Sequence, residues 1–67
     1  MSFDELASIV EYYIKKGFTR PSELRKVVGV EWEKLYAILT YLKLMKRIER
    51  IQDGNKRVKW VWIGPKD

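Results

Sequence analysis

Apolar residues recur at helical spacing from the start of the chain: Phe3, Leu6, Ala7, Val10, Tyr13 and Ile14 form one stripe. Ser2 and Glu5 have the Ser-x-x-Glu spacing of a capping box, which satisfies two backbone donors at a helix start. Lys15 and Lys16 suit the negative end of the helix dipole. Gly17 suits the left-handed position just past a helix, with Phe18 folding back as its apolar partner. The pattern predicts a first helix from about Phe3 to Lys16.

Thr19-Arg20-Pro21-Ser22 reads as a break and a new start, since proline is favourable in the first turn and Thr19 or Ser22 can cap it. Leu24, Val27 and Val28 then form the expected buried side of a short second helix, and Gly29 ends it. A longer third helix is predicted from about Glu31 to Lys46. Trp32, Leu35, Ile38, Leu39, Leu42 and Met45 share one face; Glu33, Tyr36, Ala37, Thr40, Tyr41 and Leu44 share the other.

The pattern then turns to β. Ile48 to Ile51 and Val58 to Ile63 read as two strands, with a hairpin signal at Asp53-Gly54-Asn55 between them. A two-residue turn at Gly54-Asn55 sets Ile48 opposite Val61 and Ile51 opposite Val58. A turn at Asp53-Gly54 sets Ile48 opposite Lys59. The first register pairs apolar with apolar and is preferred. Val58, Trp60 and Trp62 fall on one hairpin face, and Lys59, Val61 and Ile63 on the other. Trp60 and Trp62 read as core because of the area each can bury, which leaves one apolar hairpin face for a second subunit. The fold class expected is α+β: a three-helix core followed by a β-hairpin, as a single domain over residues 1–67.

With 67 residues, the chain has room for one small core. Ordering it costs on the order of 100 kcal/mol of conformational entropy. Apolar burial must offset that cost, because the sequence has neither cysteine nor histidine. The same lack argues against a structural zinc site, and no metal or cofactor is expected. No apolar run approaches the roughly 18 residues of a membrane span. The start, Met1-Ser2-Phe3-Asp4-Glu5, is unlike a signal peptide, so the chain reads as unprocessed and cytoplasmic.

The formal charge of +5 is unevenly spread. Residues 1–33 hold five basic and six acidic residues; residues 34–67 hold nine basic and three acidic. A positive field over one part of a small domain attracts polyanions. A catalytic reading has little to stand on: there is no histidine, cysteine, glycine-rich phosphate loop or carboxylate pair in a cleft. Asp4 and Glu5 are accounted for by capping.

Several residues, in order, resemble the winged helix-turn-helix family across nearly the whole chain. Ser22-Glu23-Leu24 opens the second helix and Gly29-Val30 stands at the turn. Leu35, Leu39 and Leu42 follow along the third helix, and Ile48 enters the hairpin. The resemblance is to compact forms found in archaea and their viruses. Lys46 departs from it, since many relatives have glycine there; a lysine can end a helix, so little cost is expected.

The resemblance implies a double-stranded DNA-binding protein, a small transcriptional regulator acting by site occupancy. The third helix would enter the major groove and the wing would touch the backbone or minor groove. Carried over by position, Trp32, Glu33, Tyr36, Ala37 and Thr40 face the groove, and Lys34, Tyr41, Lys43 and Arg47 flank it. Arg50, Lys56, Arg57 and Lys59 hold the backbone from the wing, and Arg20, Ser22 and Lys26 hold a phosphate at the second helix. Glu31 and Glu33 complement the helix dipole at the start of the third helix. Two other readings remain open. One is a protein-interaction module, homodimeric or with another partner, using the surplus aromatics. The other is an RNA binder that stacks bases on them.

Overall fold

The computed structural model describes residues 2–52, 54–55 and 57–64. Three helices, α1 (Phe3–Lys15), α2 (Pro21–Val28) and α3 (Trp32–Leu44), precede two antiparallel strands, β1 (Ile48–Gln52) and β2 (Val58–Trp62). This is the expected α+β arrangement, a helix-turn-helix core followed by a hairpin wing.

Both ends of α1 follow their sequence signals. The Ser2 N–H donates to Glu5 Oε1 at 3.0 Å, and the Glu5 N–H donates to Ser2 Oγ at 3.2 Å, closing the capping box. Lys16 is the C-cap and Gly17 takes φ 106°. The Phe18 N–H reaches Tyr13 O at 3.0 Å and the Gly17 N–H reaches Ile14 O at 3.0 Å. This is the paired bonding of a Schellman cap. The Tyr13 and Phe18 rings meet edge to face at 5.4 Å, supplying its apolar contact.

The start of α2 differs from expectation. Its N-cap is Arg20, and neither Thr19 nor Ser22 caps it with a side chain. Pro21 in the first turn presets the backbone and needs no N–H partner, which makes a side-chain cap dispensable. Thr19 serves otherwise: its carbonyl accepts from the Trp60 N–H at 2.8 Å.

α3 is shorter than predicted at both ends, with Glu31 as N-cap and Met45 as C-cap. Lys46 follows in the left-handed region at φ 60°. Its N–H donates to Lys43 O at 2.9 Å, and the Arg47 N–H donates to Leu42 O at 3.0 Å. A second Schellman cap thus ends α3 on a lysine where glycine is the unstrained residue. The departure at Lys46 therefore carries a conformational cost of roughly 1–2 kcal/mol, larger than expected from sequence.

The core is Ala7, Val10 and Ile14 of α1, Leu24 of α2, Leu35, Ile38, Leu39 and Leu42 of α3, Ile48 of β1 and Trp60 of β2. Val27, Trp32 and Met45, expected inside, are exposed. Val27 lies off the single row through which α2 touches the core. Trp32, in the first turn of α3, stacks on Tyr36 beside Arg25 of α2, and Met45, the C-cap, lies on the open rim of a cleft that it shares with Asp4, Ala7, Ser8 and Glu11 of α1.

Neither hairpin register considered from sequence is the one adopted. Ile48 pairs with Trp62, Arg50 with Trp60 and Gln52 with Val58. A two-residue turn at Gly54-Asn55 would set Gln52 opposite Arg57, and the observed partner is Val58; Asp53 and Lys56 lie outside the described residues. Directly opposed residues share a sheet face, so this register puts Ile48 and Trp60 on the same side. The preferred register would have set Lys59 and Val61 beside Ile48 and turned Trp60 to solvent. Burial of the indole decides the matter, because an aromatic side chain outweighs a valine in apolar area.

Trp60 is buried, while Trp62, also expected in the core, is 37% exposed at the rim. The outer hairpin face carries Glu49, Ile51, Lys59 and Val61, a mixed surface instead of an apolar one. At the hairpin base the Ile63 and Gly64 N–H groups both donate to Arg47 O, at 3.0 and 2.9 Å. A Cβ at Gly64 would lie 2.0 Å from the Trp62 ring, so that ring needs glycine beneath it. Among the described residues, no helix is long and apolar enough to cross a membrane.

Candidate nucleic-acid interface

The outward side of α3 follows from which residues it buries. Leu35, Ile38, Leu39 and Leu42 face the core. At about 3.6 residues per turn, Glu33, Ala37, Thr40 and Leu44 lie opposite them. All four are exposed, and Leu44 is 75% exposed.

Aromatic pairs bound this face on both sides. Toward α2, the Trp32 and Tyr36 rings stack at 5.8 Å and 21°. The Arg25 guanidinium lies 5.5 Å from the Trp32 ring centroid, within cation–π range. Toward α1, Tyr41 meets Phe3 edge to face at 5.3 Å. Tyr36 and Tyr41 therefore keep partners while remaining substantially exposed. Lys34 and Lys43 stand exposed at the flanks of the same face, as expected.

The second helix and the wing tip are held together by Arg20. Its Nη1 donates to Val58 O in a long bond of 3.4 Å, and the residue is half-buried. Arg20 is thus partly a strut between the start of α2 and the end of the wing. Ser22 and Lys26 are exposed on α2. Arg57 is exposed and adjoins Val58, so it belongs to the end of the wing beside Arg20.

The register separates the remaining wing cations. Arg50, opposite Trp60, is exposed on the helix-facing side of the sheet; Lys59, opposite Ile51, is half-buried on the outer side. Arg50 and Lys59 therefore lie on opposite faces of the sheet. The strand parity that buries Trp60 makes this division. Lys56 lies outside the described residues.

Arg47, expected beside the groove, is bound within the fold. Its Nε donates to Glu11 Oε2 at 2.8 Å, and the Trp62 Nε1–H donates to the same oxygen at 2.8 Å. One carboxylate of α1 thereby holds both the start of β1 and the end of β2. The Lys15 ammonium sits 4.6 Å from the Trp62 ring centroid and completes this side. Sequence reasoning missed the Glu11 clamp. The available signal was a carboxylate next to Val10 on the border of the apolar stripe, within reach of a distant cation.

Comparison of the chain with family models, with curated proteins and with solved structures finds no match in any of the three.

Proposed function

We propose that the chain is a double-stranded DNA-binding protein of the winged helix-turn-helix kind, a small transcriptional regulator acting by site occupancy. The observation that carries the reading is the placement of an uncovered α3 face together with cations of α2 and the wing. Glu33, Ala37, Thr40 and Leu44 lead that face with Lys34 and Lys43 at its sides, while Arg20 ties the α2 start to the wing end that bears Arg57. A helix projecting from such a core fits the major groove, with the flanking cations on phosphates. The same reading places the chain in the cytoplasm with its DNA.

The test is fluorescence anisotropy of a labelled random-sequence duplex at about 50 and 200 mM salt. Binding is expected to weaken steeply with salt. Removing the wing cations by K56A with R57A should weaken binding to every sequence and reduce the salt slope by about 0.9 log unit per lost phosphate contact. No binding at low salt would reject the proposal.

A second reading, a protein-interaction module of the same fold, is favoured by one observation. Leu44 and Met45, adjacent at the end of α3, are 75% and 56% exposed. It predicts self-association or a protein partner with little DNA affinity. Light scattering on a gel-filtered sample separates the two, since a strict monomer that binds duplex DNA contradicts it.

A further inference from the structure

The reading surface of α3 has a chemistry that restricts what it can recognise. Bidentate recognition of guanine or adenine in the major groove needs a guanidinium, an ammonium or a side-chain amide aimed at base edges. The outward positions of α3 are Glu33, Tyr36, Ala37, Thr40, Tyr41 and Leu44, and none carries such a group. Lys34 and Lys43 lie to the sides, where phosphates would be. What the centre presents is the methyl group of Ala37 and the methyl and hydroxyl of Thr40. The aromatic pairs Trp32–Tyr36 and Phe3–Tyr41 stand on either side of them. Glu33, at the N-terminal end of the face, is an acceptor that repels phosphate and could accept only from the exocyclic amino group of cytosine or adenine.

Methyl groups flanked by aromatic rings match one feature of the major groove, the 5-methyl group of thymine. We propose that α3 reads thymine methyl groups through Ala37 and Thr40, so that the preferred partner is A·T-rich duplex DNA recognised from the major groove; this rests on the DNA-binding reading above. Discrimination is then apolar and modest at each position. Losing one contacted methyl should weaken binding about three- to fourfold, the scale of burying a single methyl group.

The experiment uses the full chain and three duplexes of roughly two helical turns: A·T-rich, the same sequence with deoxyuridine for every thymidine, and G·C-rich. Deoxyuridine removes only the major-groove methyl and leaves the minor-groove edge unaltered, so preference for a narrow minor groove is not mistaken for methyl reading. The expected order of affinity is thymine duplex first, with the uracil duplex weaker by at least three- to fourfold. T40S, which keeps the hydroxyl and removes the methyl, should weaken binding to the thymine duplex and shrink the difference between thymine and uracil. Equal affinity for thymine and uracil duplexes would overturn the inference while leaving DNA binding intact. A thymine preference undiminished in T40S and in A37G would overturn it too, because the methyl contact would lie elsewhere. Absence of binding to all three duplexes at low salt would overturn this inference and the DNA-binding reading together.

Discussion

The Trp60 backbone N–H donates to the Thr19 carbonyl at 2.8 Å, so β2 is bonded on both edges: to β1 on one side and to the loop between α1 and α2 on the other. The wing is therefore anchored to the segment that introduces α2. The Trp60 side chain is buried in the core shared by all three helices. One residue thus fixes the position of the wing and completes the core. W60A should cost about 3–5 kcal/mol, as for other buried tryptophans. In a chain of this size that is a large part of the total stability. Chemical denaturation followed by circular dichroism should show a mostly unfolded variant at 25 °C; a change under 1 kcal/mol would contradict the anchoring role.

Glu11 is the second tie, accepting from Arg47 and from Trp62 through one oxygen. Its side chain is 14% exposed, against 38% for Arg47, so the pair is only partly screened. E11A is expected to destabilise by about 1–2 kcal/mol, between an exposed ion pair and a sheltered charged hydrogen bond. A double-mutant cycle of E11A with R47A should show coupling. Additive effects would mean that the bond contributes nothing.

Lys46 holds a left-handed conformation at φ 60°. K46G relieves that strain but adds backbone freedom to the unfolded chain. The balance should favour the variant by about 1 kcal/mol, a rise in melting temperature of roughly 4–8 °C. An unchanged or lower melting temperature would show that the lysine side chain compensates.

The Glu5 carboxyl has its pKa lowered, first by the Ser2 backbone N–H and then by the Ser2 hydroxyl. A carboxylate whose folded-state pKa is depressed contributes stability above its unfolded pKa, and that contribution is lost as pH falls through the folded value. Stability of the parent should therefore drop in mild acid by more than that of E5Q, which cannot titrate there. Identical acid profiles for the two would rule out the capping box as a charged cap.

The sequence made the helices legible because their signals are local. Ser2 and Glu5 stand three residues apart, Gly17 and Phe18 adjoin the helix they cap, and the leucines of α3 follow its own period. The wing was harder. Its register depends on which face of β2 meets helices far away in the chain, and local apolar pairing pointed to the wrong parity even with Trp60 read as core. For the candidate site, exposure of Lys34, Ala37, Thr40 and Lys43 followed from the same periodicity that located the core. The internal uses of Arg20 and Arg47 did not, because Val58 and Glu11 are 38 and 36 residues distant in sequence.

The most direct test of duplex recognition by α3 and the wing is nuclear magnetic resonance of the isotope-labelled protein titrated with a short DNA duplex. Amide shifts should move along α3 at Glu33, Ala37, Thr40 and Leu44, at Arg20 and Ser22, and at Arg57, while the outer side of α1 around Ser8 stays unchanged. Shifts confined to α1, or no shifts at saturating duplex and low salt, would contradict it.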